Sequence, residues 1–217
     1  MMEQAQTFYS LAKLVEHARS RIAEFETVTF DLFDTLLIRR IHDPDQVKLP
    51  VAHYISALSD NHGIMKSWRT VQKIRDRIEQ QQRQETGKKF EDHEACYPIF
   101  MEQVLKEIFG SQYHEQLLED VTGYELEMES RMLVPRKLFA ELLSELHGLN
   151  KRVIIISDIY LPAEHLKVLV ERAGLLSLVE DVVSSADTFL AKASGKAFPL
   201  VQEKYNIDTT TWLHVGD

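Results

Sequence analysis

The stretch "VTFDLFDTLLIRR", residues 28–40, decides how the rest of the chain is read. Val28, Thr29 and Phe30 are β-forming residues that run into Asp31, so "ETVTFD" reads as a strand ending on a carboxylate. Asp34 follows three residues later, with Thr35 behind it. Two carboxylates at a strand end have the look of a reactive site.

Working outward, Phe8, Leu11, Val15, Ala18 and Ile22 recur at helical spacing and predict an amphipathic helix over 5–24. Beyond residue 43 the pattern is helical throughout. Ile64, Trp68, Val71, Ile74 and Ile78 form one apolar stripe; Leu117, Val121, Tyr124, Met128 and Met132 form another. Gly63, Gly87 and Gly110 read as breaks between these helices, and Pro98 as a helix start. The charged run "KIRDRIEQQQRQETGKK" reads as a solvated helix face, with a phosphate patch of Lys73, Arg75 and Arg77 as the alternative.

From Pro135 the pattern changes to alternation. "RKLFAELLSELHGLN" is helical, and "KRVIIISD" is a continuous apolar run, the mark of a strand covered on both faces. "LPAEHLKVLVERAGL" is a helix, with Pro162 near its first turn and Gly174 past its last. "LVEDVVSSAD" reads as a strand, "SGKAFPLVQEKYNI" as a helix and "TWLHVGD" as a strand. Such alternation predicts an α/β fold with a doubly wound parallel sheet. Residues 1–42 and 134–217 would form this Rossmann-like core, and 43–133 an inserted all-helical block.

Composition narrows the function classes. The chain has 217 residues, 44% of them hydrophobic and 27% charged, as in an ordinary globular protein able to bury a core. A net charge of −9 argues against a nucleic-acid partner. A phosphate bound here needs a local cation, either a metal or a placed lysine. Cys96 is the single cysteine, so an intramolecular disulfide is excluded and a reducing, cytoplasmic setting is expected. No run approaches the ~20 apolar residues that span a bilayer, and no signal peptide is read at the start.

Ligands of a doubly wound sheet bind beyond the carboxyl ends of its strands. Those ends carry Asp31, then Ser157 and Asp158, then Ser184 to Asp187, then Asp217, with Lys192 and Lys196 just after the third. Residues scattered in sequence would converge on one crevice.

"FDLFDTL", "IIISD", "KASGKAF" and "HVGD", in this order, resemble the four motifs of the haloacid dehalogenase-like (HAD) hydrolase superfamily, helical-cap type. The wording "FDLFDTLL … SDIYLP … KASGK" also resembles a bacterial subgroup found with glycosyltransferase domains, which would make this chain part of a larger multidomain protein. The resemblance implies that Asp31 is a nucleophile forming an aspartyl-phosphate, and that Ser157 hydrogen-bonds the phosphoryl oxygens. It implies Mg²⁺ held by Asp31, the Phe33 carbonyl and Asp217. The residue types make sense: a carboxylate is already ionised at neutral pH, and its approach to an anionic phosphate needs positive charge to offset repulsion. The family lysine commonly stands six residues before a phenylalanine, which selects Lys192 ahead of Phe198; Lys196 is the alternative.

Two features depart from the family pattern. Its phosphatases carry an acid/base aspartate two residues after the nucleophile, where this chain has Phe33. Asp34, one further on, is either a turn residue tolerating left-handed backbone or a displaced acid/base. Dehalogenating members also carry an aromatic at the position of Phe33. The chain also stops at Asp217, inside the fourth motif, which leads to the expectation of a fragment lacking the C-terminal part of the core. Asp158 reads as a metal or substrate contact or as a cap for the helix near 163. His214 reads as a strand residue with a hydrogen bond, and Cys96 as packing.

The leading expectation is a Mg²⁺-dependent phosphohydrolase acting on a small phosphorylated metabolite, with the helical cap closing over the site. The alternative is a HAD-fold module for binding or scaffolding. Haloacid dehalogenation stands third.

Overall fold

The structure is a computed structural model, and it describes residues 6–216. Its elements in chain order begin with helix α1 (Leu11–Arg21), strand β1 (Thr27–Phe30) and strand β2 (Leu37–Arg39). Four helices follow: α2 (Lys48–Asn61), α3 (Trp68–Phe90), α4 (Tyr97–Phe109) and α5 (Glu115–Met132). The chain then returns through β3 (Leu133–Pro135), α6 (Lys137–Gly148), β4 (Arg152–Ser157) and α7 (Ala163–Arg172). It ends with β5 (Asp181–Ser184), the short α8 (Ser185–Thr188), α9 (Ala197–Tyr205) and β6 (Trp212–Val215).

The main sheet has the order β5-β4-β1-β6, and every pairing is parallel. Phe30 lies opposite Ile155 on one side and Val215 on the other, and Ser157 lies opposite Ser184. The carboxyl ends of all four strands are therefore level, and the strand order reverses beside β1. This is the doubly wound parallel sheet predicted from the alternation.

The apolar run of β4 shows why that sheet is stable. Successive strand residues point to opposite faces. Val153 and Ile155 join the large core that also takes in Leu142, Leu146, Leu166 and Leu169 of α6 and α7. Ile154 and Ile156 join a second cluster with Val183, Ala197, Val201 and Ile207 beneath α9. Both faces are covered, so no polar alternation is needed.

The segment between β2 and β3 is helical, as expected. Its two ends are tied together by an antiparallel ribbon that pattern reading did not anticipate, with Leu37 opposite Pro135 and Arg39 opposite Leu133. Three-residue strands carry too short a period to be read from sequence.

Four expectations need correction. The first helix begins at Leu11, not 5, and ends in a 3₁₀ turn over Ile22–Glu24; residues 1–5 lie outside the described residues. Gly87 does not break a helix but sits inside α3, where the His93 ring lies against its Cα. The third strand ends at Ser184, whose hydroxyl accepts from the Ala186 N–H and starts α8. Arg75 belongs to no phosphate patch: it is buried and bonds Glu125 through both terminal nitrogens, at 2.9 and 2.5 Å, while Arg77 pairs with Glu107.

Candidate active site

Asp31 follows β1 directly, and its N–H extends the sheet by donating to the Val215 carbonyl at 3.0 Å. This fixes its backbone at the level where the strand order reverses, the place for a ligand in such sheets. Its side chain and that of Lys192 are each about nine-tenths buried, and Lys192 Nζ donates to Asp31 Oδ1 at 2.5 Å. A cavity of about 470 Å³ opens at these strand ends, lined by Asp31, Phe33, Asp34, Ser157, Asp158, Lys192, Ala193, Phe198 and His214. Residues of all four motif stretches thus line one cavity, the fourth through His214, whereas Ser184 to Asp187, also expected there, do not line it.

The two candidate lysines reach different partners. Lys192 reaches Asp31, whereas Lys196 Nζ turns away to the Phe90 carbonyl at 2.9 Å and Glu91 Oε2 at 2.8 Å. Ser157 is buried at the end of β4, on the cavity wall. Asp217 lies outside the described residues, so its placement as a metal ligand is not addressed.

The Asp34 backbone has φ = 57°, the left-handed conformation that aspartate tolerates, and its N–H closes the turn on the Leu37 carbonyl at 2.8 Å. Asp34 is nevertheless exposed at the cavity rim. Its turn role and a chemical role are therefore compatible. Phe33 lines the cavity too, and the Arg39 guanidinium lies 4.2 Å from its ring centroid, a cation–π arrangement.

Asp158 lines the cavity but does not cap the helix near 163, and its carboxylate is bonded to the lysine loop. Its Oδ1 accepts from the Lys192 N–H at 2.9 Å and its Oδ2 from the Ala193 N–H at 3.1 Å. The start of α7 is capped by Asp187 instead, whose Oδ2 accepts from the Ala163 N–H at 2.9 Å. His214 lies between Phe198, in edge contact at 5.1 Å, and the Thr29 hydroxyl, 2.9 Å from its Nδ1. Burial and the nearby Lys192 push its pKa down to about 4, so the ring is neutral at pH 7.

Donor chemistry at the site suits a hard cation. Asp31 offers a carboxylate at the cavity, and Mg²⁺ typically takes one or two carboxylates with water and phosphate completing its shell. Among the described residues no group of three or more acidic, histidine or cysteine side chains is placed to hold a metal.

The level parallel sheet, flanked by helices, places the chain among the doubly wound α/β proteins. Within that class, a family model described as haloacid dehalogenase-like hydrolase matches residues 25–217. The chain belongs to the haloacid dehalogenase-like hydrolases. Among solved structures it is similar to a 2-haloacid dehalogenase from Pseudomonas syringae pv. Tomato DC3000, at 17% identity over 89% of this chain and 78% of that one, with a TM-score of 0.57. It is also similar to the L-2-haloacid dehalogenase from Xanthobacter autotrophicus, at 18% identity, 88% and 69% coverage and a TM-score of 0.48. Magnesium-bound YfnB from Bacillus subtilis matches at 20% identity, 89% and 80% coverage and a TM-score of 0.48. At 17% identity the likeness to the Pseudomonas syringae structure shows the fold alone. A search of curated proteins finds no match. No described helix is long and apolar enough to cross a membrane.

Sequence reading missed Phe198 and His214 as cavity residues and Asp158 as a loop anchor. His214 follows from the level strand ends, while Phe198 is brought there by the first turn of α9. The third depends on the path of the 190–193 loop, which has no local signature.

Proposed function

We propose that this hydrolase is a phosphohydrolase that transfers the phosphoryl group of a small ester to Asp31 and then to water. The observation that carries this reading is the buried Lys192–Asp31 pair on the wall of an open cavity. A carboxylate nucleophile needs a cation to lower its repulsion with phosphate, and Lys192 supplies one at the attacking group itself. Attack forms the Asp31–phosphorus bond and expels an alkoxide. Ser157 donates its hydroxyl to a phosphoryl oxygen. Asp34 protonates the leaving oxygen, because Asp158 has both oxygens committed to backbone N–H groups while Asp34 stands free at the rim. It then takes a proton from the water that opens the acyl phosphate. Mg²⁺, when bound by Asp31, the Phe33 carbonyl and Asp217, would supply Lewis-acid charge neutralisation on the phosphoryl oxygens. The 43–133 helices take the place of the family's cap.

Phe33 favours a second reading, haloacid dehalogenation, in which a halide leaves without needing a proton. A binding module without turnover is the third. A panel of phosphate esters and 2-chloropropionate, assayed with and without Mg²⁺ on wild type and Asp31→Asn, separates them. The expected result is Mg²⁺-dependent ester hydrolysis that falls at least a hundredfold in Asp31→Asn. Chloride release selects dehalogenation, and no turnover of any substrate selects the module.

A further inference from the structure

The loop that presents Lys192 is held from two sides by carboxylates, and one of them comes from the helical segment. Three consecutive backbone N–H groups, those of Ala191, Lys192 and Ala193, are all accepted by aspartates. Asp92, buried in the α3–α4 connection, accepts from the Ala191 N–H at 3.0 Å through Oδ2, and the same oxygen accepts from the Ser194 hydroxyl at 2.8 Å. Asp158, beyond β4, takes the next two N–H groups, one on each oxygen.

Glu91 and Glu94, on either side of Asp92, strengthen this contact. Glu91 pairs with Lys196, and Glu94 accepts from the Ser185 hydroxyl at 2.6 Å. The α3–α4 loop thus grips the sheet domain on both sides of the lysine loop. Meanwhile, among the described residues, nothing between 43 and 133 lines the cavity.

We infer that the helical segment acts on the site as a brace, with Asp92 as a positioning residue that fixes the Lys192 loop so that its ammonium meets Asp31. This rests on the assignment of Asp31 and Lys192 above. Charge-assisted bonds to backbone N–H groups are stronger than neutral ones and set the direction of the loop. Freed from Asp92, the loop keeps Asp158 but loses its anchor on the side preceding Lys192, and the ammonium no longer has a single position.

The two anchors predict different responses to amidation. Asp92 uses a single oxygen for both partners, so Asp92→Asn keeps that acceptor. Asp158 uses both oxygens, so Asp158→Asn must turn an NH₂ toward a backbone N–H. Hydrogen exchange followed by mass spectrometry on the full chain tests this without any substrate. In Asp92→Ala, exchange in peptides covering 189–195 is expected to rise at least tenfold, with β4 unchanged. Asp92→Asn should stay within threefold of wild type, and Asp158→Asn should resemble Asp92→Ala. On any ester the wild type hydrolyses, Asp92→Ala should lower kcat at least tenfold with KM within threefold, and Asp92→Asn should restore it.

Unchanged loop exchange in Asp92→Ala overturns the inference. So does a rise spread equally over β4, or a loosened loop with full kcat. Wild-type inactivity on every substrate refutes the phosphohydrolase reading alone, and the exchange pattern then decides the brace. Should Asp92→Ala fail to fold, Ser194→Ala at an exposed position removes one of its two bonds and is expected to raise loop exchange about threefold; no rise overturns the inference.

Discussion

Gly216 shows how tightly the site is built at the level of single residues. A Cβ added there would lie 2.7 Å from the Asp31 Cβ and 3.1 Å from His214 Nε2. The glycine in "HVGD" therefore exists for space, because the backbone passes against the proposed nucleophile. Gly216→Ala is expected to displace Asp31, lower turnover at least tenfold and cost about 1–3 kcal/mol of stability by overpacking. Steady-state assays and urea denaturation check both effects. His214 gives a pH prediction. Its folded pKa is about 4 against an ordinary 6.5, so the unfolded chain binds more protons between those values. Its contribution is complete above pH 6.5 and is lost as pH falls through 4, a change of about 3 kcal/mol. His214→Phe should flatten the stability profile over pH 4–6.5; an unchanged slope in denaturation series at stepped pH would contradict this.

Among the elements, α3 and α5 are joined by the most buried ion pair in the described structure. Arg75 and Glu125 are both essentially inaccessible. Burial works against the Arg75 charge, but Glu125 outweighs it and raises the guanidinium pKa. The period of α3 put Val71 and Ile78 on the buried face, and both are buried. It gave no warning that Arg75, between them, would be buried with them. A lone arginine in an amphipathic pattern reads as solvent-facing, and its partner is fifty positions away in another helix. Arg75→Met leaves Glu125 buried without its partner, at an expected cost of about 3–5 kcal/mol. The pair Arg75→Met with Glu125→Leu should recover most of it. A double-mutant cycle of denaturation midpoints measures the difference.

For the whole molecule, Tyr160 couples the helical segment to the sheet domain. It follows β4, its hydroxyl donates to Glu125 Oε1 at 3.1 Å, and its carbonyl accepts from the Tyr97 N–H at 2.7 Å. Tyr160→Phe is expected to cost about 1.5–3 kcal/mol, the loss of one bond to a charged group. Fluorescence and circular dichroism should still report one coincident unfolding transition, since the backbone bond and the α3–α4 loop contacts persist.

What the sequence determined by itself was the periodicity and the order of the motifs. The run from Arg152 to Ser157 had to be a doubly covered strand, because only two apolar faces can bury it. Level parallel strands then had to bring Asp31, Ser157 and the segment after β5 to one edge. These are consequences of local pattern and of sheet geometry, both legible in one dimension. The family resemblance already pointed to Lys192 by its spacing to Phe198, but the bond from Lys192 to Asp31, the commitment of Asp158 to the lysine loop and the approach of Asp92 from the helical segment were decided only by tertiary structure. Each is a hydrogen bond between residues some 30 to 160 positions apart, set by how loops cross in space, and no spacing rule along the chain encodes such a crossing.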